Sequence, residues 1–236
     1  MREVFLRDQP IPVGSRIGDL VHGLRLAAPD TQTALRDLTE VVESAGATLD
    51  NVAQVSFFVA QRDLLPTINP AWLQVFPSDA DRPTYKFMIA DLPPETPVHV
   101  EFFAVANQRR RLLHLPNVAH LNPIPMGVRI GRYLFSSRVL PYDPRTGQPP
   151  ETSEQQAECL FDNVRALLAM GELQPAHITN ARLFLADPAD LPQVEPLWQA
   201  LVQDAPRPPA LQVTHYTLAP SLKVMLEFVA VAQSPS

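Results

Sequence analysis

The chain writes one line twice, and this duplication limits its fold more than any other feature. "IPVGSRIGDLVHGLRL" runs from Ile11 to Leu26, and "IPMGVRIGRYLFSSRV" from Ile124 to Val139. Both keep I-P-x-G-x-R-I-G, at an offset of 113 residues, and both place an Arg before the last apolar residue: Arg25 and Arg138. "FFVAQRDLLPTINPAW" (Phe57 to Trp72) returns as "LFLADPADLPQVEPLW" (Leu183 to Trp198), now at an offset of 126. "VEFFAVA" (Val100 to Ala106) returns as "LEFVAVA" (Leu226 to Ala232), also at 126. The offset changes because the second copy carries an extra loop, "PYDPRTGQPPETSEQ". A repeat this long with two copies is not a solenoid, so two homologous domains are expected. The expected bounds are 1–108 for the first, 109–122 for a linker and 123–236 for the second.

Each copy has the same coarse order. Short strands open it, at Asp19 to Leu26 and at Tyr133 to Leu140. A helix follows. In the first copy Leu35, Leu38, Val42 and Ala45 recur at helical spacing, with Asp30 as N-cap and Gly46 as stop. In the second, Leu160, Val164, Leu167 and Leu168 form the stripe, Ser153 with Gln156 reads as a capping box, and Gly171 ends it. A strand (Val52 to Ala60; Ile178 to Ala186) and a shorter helix (Thr67 to Phe76; Gln193 to Val202) come next. Two strands close each copy: Tyr85 to Ala90 and Val98 to Ala106, then Gln212 to Leu218 and Val224 to Ala232. The order β-β-α-β-α-β-β predicts an α+β domain with helices on one face of a mixed sheet. The other face still has apolar residues to bury, which predicts oligomerisation.

Composition narrows the partners. Net charge is −6 and the pI about 5.5, against the basic footprint that a phosphate-tracking groove needs. The one dense basic cluster is Arg109, Arg110 and Arg111, so nucleic acid is not expected as a partner. Cys159 is the only cysteine and the histidines show no ligand spacing, so neither a disulfide framework nor a metal site is expected. "MREVFLRDQP" is too charged for a signal peptide and no apolar run reaches spanning length. A cytoplasmic protein without membrane contact is the expectation.

Several stretches resemble the RidA/YjgF family. "GRYLFSSRVLPYDPRTGQPPETSEQQAECLFDNVRALLAMG" is similar to the family's opening, "GATLDNVAQVSFFVAQRDLLPTINPAWLQVF" to its middle, and "LPPETPVHVEFFAVA" to its closing hairpin. The resemblance covers almost the whole chain, once per copy. It implies a chorismate mutase-like fold, with three domains around a shared axis and ligand clefts between neighbouring domains or subunits. It implies hydrolysis of reactive 2-imino or enamine acids to 2-keto acids, without metal or organic cofactor. With two copies per chain, three chains completing two stacked rings of six domains is the expected assembly, a homotrimer.

The resemblance also shows where this chain departs. The family's carboxylate-binding Arg falls on Thr84 and Ala210, and the nearest arginines are Arg82 and Arg207. Its water-handling acid falls on His99 and Met225, with the next glutamate kept as Glu101 and Glu227. By strand alternation His99 and Glu101 share a face. The family's opening tyrosine falls on Ile11 and Ile124. Its helix Asn is kept as Asn69 but is Glu195 in the second copy. Its Ser is kept as Ser137 but is Leu24 in the first, and the Gly after it is Arg25 and Arg138. Arginine suits planar recognition of a carboxylate. Arg25, Arg138, Ser137, Asn69, Arg82, Thr84 and Glu227 are therefore the candidate substrate-binding residues, and His99 and Glu101 the candidate catalytic pair. The competing expectation is a non-catalytic binder of small carboxylates, or an oligomeric partner, in which Arg25 and Arg138 only pair with neighbouring carboxylates.

Overall fold

A computed structural model describes residues 1–6, 11–207 and 209–233. The chain divides into two compact units, Met1–Leu112 with Asn122–Ile124, and Leu113–Leu121 with Pro125–Ser236. Each has its own hydrophobic core.

The first unit runs β1 (Arg2–Val4), β2 (Gly14–Ile17), β3 (Leu20–Ala28), α1 (Thr31–Ser44), β4 (Val52–Val59), α2 (Leu65–Val75), β5 (Thr84–Ile89) and β6 (Val98–Val105). Its sheet has the order β1-β2-β3-β6-β4-β5. Only β4 and β5 are parallel, as a crossover through α2 requires, and the other pairs described are antiparallel. After β7 (Arg110–Leu113), the same plan repeats as β8 (Gly127–Ile130), β9 (Tyr133–Ser136), α3 (Ser153–Met170), β10 (Ile178–Leu185), α4 (Leu191–Val202), β11 (Ala210–His215) and β12 (Val224–Val231). This sheet has the order β11-β10-β12-β9-β8-β7, with β10 and β11 parallel. The expected tandem α+β fold on mixed sheets is the fold observed.

The repeated line can now be read residue by residue. Gly18 and Gly131 hold φ of +63° and +52° at the two-residue turns of the β2–β3 and β8–β9 hairpins. That left-handed backbone favours glycine. The Arg two residues earlier ends a helix. Arg16 Nη1 donates to the Ala45 carbonyl at 2.7 Å, and Arg129 Nε to the Gly171 carbonyl at 3.0 Å. Ala45 and Gly171 are the C-caps of α1 and α3, whose last carbonyls lack helical donors.

Helix α1 has its N-cap at Asp30, whose carboxylate accepts the Thr33 N–H at 2.7 Å. In α3 the capping box is Thr152 with Gln155, one residue before the pair read from sequence. "TSEQQ" offers two overlapping S/T-x-x-Q frames, and the buried side of Gln156 settles the choice. Its amide donates to the Pro150 and Ser221 carbonyls and accepts from the Lys223 N–H. Helix α2 starts at Leu65 rather than Thr67, with Pro66 in its first turn where no N–H is needed. Strand β9 stops at Ser136, short of the expected Leu140. Trp72 and Trp198 are core residues, 0% and 2% exposed.

Candidate active site

In the first unit β6 alternates. Val98, Val100, Phe102 and Ala104 join α1 in the core, so His99, Glu101 and Phe103 lie on the face away from the helices. Cross-strand register adds Ser56 of β4 opposite Glu101, and Lys86 of β5 opposite Ser56.

Arg25 joins this face through a bulge. Gly23 pairs with Phe102 and Leu26 with Val100, so two residues oppose Glu101 alone. The second unit carries the same extra residue. Phe135 pairs with Val229 and Val139 bridges Leu226, so three residues oppose two. In each case the bulge brings the repeated Arg to the last-strand glutamate. Arg25 Nε is 3.3 Å from Glu101 Oε1, and Arg138 Nε is 3.7 Å from Glu227 Oε2.

The two pairs differ in access. The side chains of Arg25 and Glu101 are 67% and 28% exposed, those of Arg138 and Glu227 10% and 7%. The Arg25 guanidinium carbon lies 5.5 Å from the centre of the Phe58 ring. That of Arg138 lies 4.4 Å from the Phe184 ring and 4.8 Å from Tyr216. Arg182 also reaches Glu227, at 3.5 Å, and Gln212 at 2.9 Å. The second unit thus encloses its Arg between two aromatic rings and a shared carboxylate.

His99 is half-buried beside Arg25 and Glu101. Burial, and next the charge of Arg25, push its pKa below 6.5 against the opposite pull of Glu101, so the ring is neutral at pH 7. Its Nε2 is 3.4 Å from Thr96 Oγ1, and its buried Nδ1 has no hydrogen-bond partner. His22 stacks on Phe103, with ring centres 4.5 Å apart, and burial lowers its pKa too.

The other candidates lie elsewhere. Arg82 donates to the Phe76 and Pro77 carbonyls, at 2.7 and 2.6 Å, and pairs with Asp79, which fixes the loop before β5. Asn69 accepts from the Tyr85 hydroxyl and donates to Asn122, on the helix side of the sheet. Thr84 is fully buried, and its hydroxyl has no hydrogen-bond partner. Ser137 donates to the Met126 carbonyl at 2.8 Å and therefore accepts from His120 Nε2 at 2.7 Å. Burial holds the His120 pKa at about 4. Cys159, on α3, is half-buried. A cleft of about 460 Å³ between α1 and α2 is lined by Thr31 and Thr67, whose hydroxyls bond each other at 2.7 Å. Its two threonines thus satisfy each other, Asp30 at its edge caps α1, and it lies on the helix side of the sheet, opposite Arg25.

Sequence reading missed Lys86, Arg182 and His120. Alternation along "TYKFM" and "NARLF" puts Lys86 and Arg182 on the open face, and the repeat offset makes Arg182 the counterpart of Ser56. His120, in the joint between copies, had no such pattern to mark it. Among the described residues no group of three His, Cys, Asp or Glu is placed to hold a metal ion, and no helix is long and apolar enough to cross a membrane.

A family model described as Endoribonuclease L-PSP matches residues 11–106 and 117–232. The chain belongs to the Endoribonuclease L-PSP family. The RidA/YjgF resemblance is therefore established, once per unit. The 2-iminobutanoate/2-iminopropanoate deaminase of Escherichia coli K12 is 28% identical over 115 residues, 48% of this chain and 90% of that protein. The deaminase of the same name from Salmonella typhimurium matches with the same identity and coverage. Among solved structures, the YjgF gene product of E. coli is 26% identical, covering 52% of this chain and 99% of that one, with a TM-score of 0.48. In the Endoribonuclease L-PSP family, then, this chain carries the unit twice, with Thr84 and Ala210 at the positions read as its arginine.

Proposed function

We propose that the chain hydrolyses small reactive 2-imino or enamine carboxylates to 2-keto acids and ammonia, at the open sheet face of the first unit. Family membership and the names of the deaminase relatives support the reaction class. The observation that carries the assignment to this unit is the exposed Arg25 guanidinium, held 3.3 Å from Glu101 beside a neutral His99.

Arg25 binds the substrate carboxylate with the part of its guanidinium that Glu101 does not occupy. Glu101 faces the imine nitrogen. Water adds to the carbon of the C=N bond while His99 takes one of its protons and passes it to the nitrogen as the double bond becomes single, which gives a carbinolamine and returns His99 to its neutral form. The carbinolamine's hydroxyl proton then moves, again through His99, to the amino nitrogen as the C–N bond breaks, so that ammonia leaves and the keto group remains. Arg138 and Glu227 hold the second unit together instead.

A second reading has its own support: Thr84 and Ala210 stand where the resemblance puts an arginine, which fits a chain that binds small carboxylates without chemistry. Generating 2-iminobutanoate in situ and following its loss with and without the protein separates the two. Acceleration supports hydrolysis; none, together with binding of butyrate, supports the binder. Three chains forming two stacked rings remains our proposal for the assembly. Light scattering should return three times the 26.2 kDa chain mass, and a monomer would sink it.

A further inference from the structure

We propose that the ligand of the first unit is a 2-imino acid with a large apolar side chain, of the size of leucine's or phenylalanine's, and that Leu24 selects it. This rests on the reading of that face as the imine site.

The bulge that presents Arg25 presents Leu24 as well. Gly23 faces the core, because a Cβ there would meet the Phe102 ring at 2.0 Å. Alternation then turns Leu24 to the open face. Leu26 is back in the core, and Arg25 before it reaches Glu101. Leu24 and Arg25 are therefore consecutive residues on one face, an arrangement that a bulge permits and a regular strand does not. The Leu24 N–H donates to the Val13 carbonyl at 2.7 Å, which holds the backbone there. Leu24 is 44% exposed.

The second unit uses the same position differently. The counterpart of Leu24, 113 residues on, is Ser137. It is 1% exposed, and its hydroxyl is bonded to the Met126 carbonyl and to His120. Where that unit has a buried polar contact, the first has an open apolar surface beside an exposed guanidinium. A single exposed leucine needs no explanation. This one has company. His22, two residues earlier, lies flat on Phe103, with ring centres 4.5 Å apart and planes 7° apart. The Phe58 ring lies 5.5 Å from the Arg25 guanidinium carbon. Apolar surface thus borders the guanidinium along its own strand and again from β4.

A ligand with its carboxylate on Arg25 and its nitrogen at Glu101 has one substituent of the imine carbon left to place. That side chain runs over Leu24 toward His22. The two backbone positions are about 7 Å apart along the strand, close to the length of a leucine or phenylalanine side chain. Selection is by burial of apolar surface, so a short side chain leaves Leu24 in water.

The test uses the full chain and two stable probes, 4-methylpentanoate and propanoate, titrated by calorimetry. Hydrolysis of 4-methyl-2-iminopentanoate and 2-iminopropanoate, made in situ, is followed alongside. The larger probe should bind about tenfold more tightly, a little less than two fully buried methylene groups would give. The larger imine should show a similar advantage in kcat/KM. Leu24→Ser should bring both ratios close to one, and Leu24→Met should keep them. Equal ratios in the wild-type chain, or ratios that survive Leu24→Ser with circular dichroism unchanged, overturn the proposal. A Leu24-dependent binding preference without imine hydrolysis keeps the apolar subsite and removes the catalytic reading. Hydrolysis indifferent to Leu24 does the reverse, and binding of neither probe with no hydrolysis overturns both.

Discussion

Arg25 and Arg138 occupy equivalent bulges and face equivalent glutamates, yet one side chain is 67% exposed and the other 10%. The same residue therefore has two physical roles. An exposed ion pair contributes little to stability and can exchange its partner for a ligand. An enclosed one cannot be opened without stranding a charge.

Arg25→Ala should abolish imine hydrolysis while moving stability by less than about 1 kcal/mol. Arg138→Met should cost about 3 kcal/mol of stability, because Glu227 keeps Arg182 but loses one partner in a buried setting. Urea unfolding with parallel rate measurements checks both. The reverse pattern would transfer the site to the second unit.

In the proposed reaction His99 sets the pH dependence of the rate. Its pKa lies below 6.5, so the base form persists through neutrality and is lost only as pH falls below that range. The rate of the wild-type chain should be level above pH 7 and decline in acid. His99→Gln should slow hydrolysis by about a hundredfold. It should also remove the acid decline.

His120 makes the opposite kind of claim, on folding. The unfolded imidazole titrates near 6.5 and the folded one at about 4, so the folded state binds fewer protons between those values. Its contribution is complete above 6.5 and is lost as pH falls toward 4, by about 3 kcal/mol in all. His120→Gln, which keeps a donor for Ser137, should flatten chemical denaturation midpoints across that window.

Arg16→Met and Arg129→Met should each lower stability by about 1–2 kcal/mol, since each removes charge-assisted hydrogen bonds to carbonyls at a helix end. Amide exchange should quicken first in the last turn of α1 or of α3. Uniform loss of protection throughout the affected unit would contradict the capping role.

The duplication and the element order were legible because they rest on local pattern: helical spacing at Leu35 and Leu38, turn glycines, the Asp30 cap. What could not be read was set at long range. The early end of β9 and the extra residue beside Glu101 depend on which residues face each other across strands, and one chain's sequence does not print its register. The capping frame of α3 depended on Gln156 being occupied by Ser221 and Lys223, over sixty residues away. Arg25 and Arg138 were visible as unusual, but only burial distinguished them. Arg82 is two positions from Thr84 in sequence, but the Phe76 and Pro77 carbonyls take its guanidinium.

The bulge beside each glutamate has a consequence for how this chain can change. Side chains of a strand alternate, so the extra residue sets the stretch before it and the stretch after it out of step by one. Removing one residue from Leu24 or Arg25 would not merely shorten β3. It would turn over everything on one side of the deletion, sending core residues such as Val21 to the open face or aiming Leu26 away from its core. A substitution at the same place changes one side chain. At these two points the number of residues is held more firmly than their identity, which gives the chain freedom to exchange glycine for arginine there while leaving the segment's length untouched.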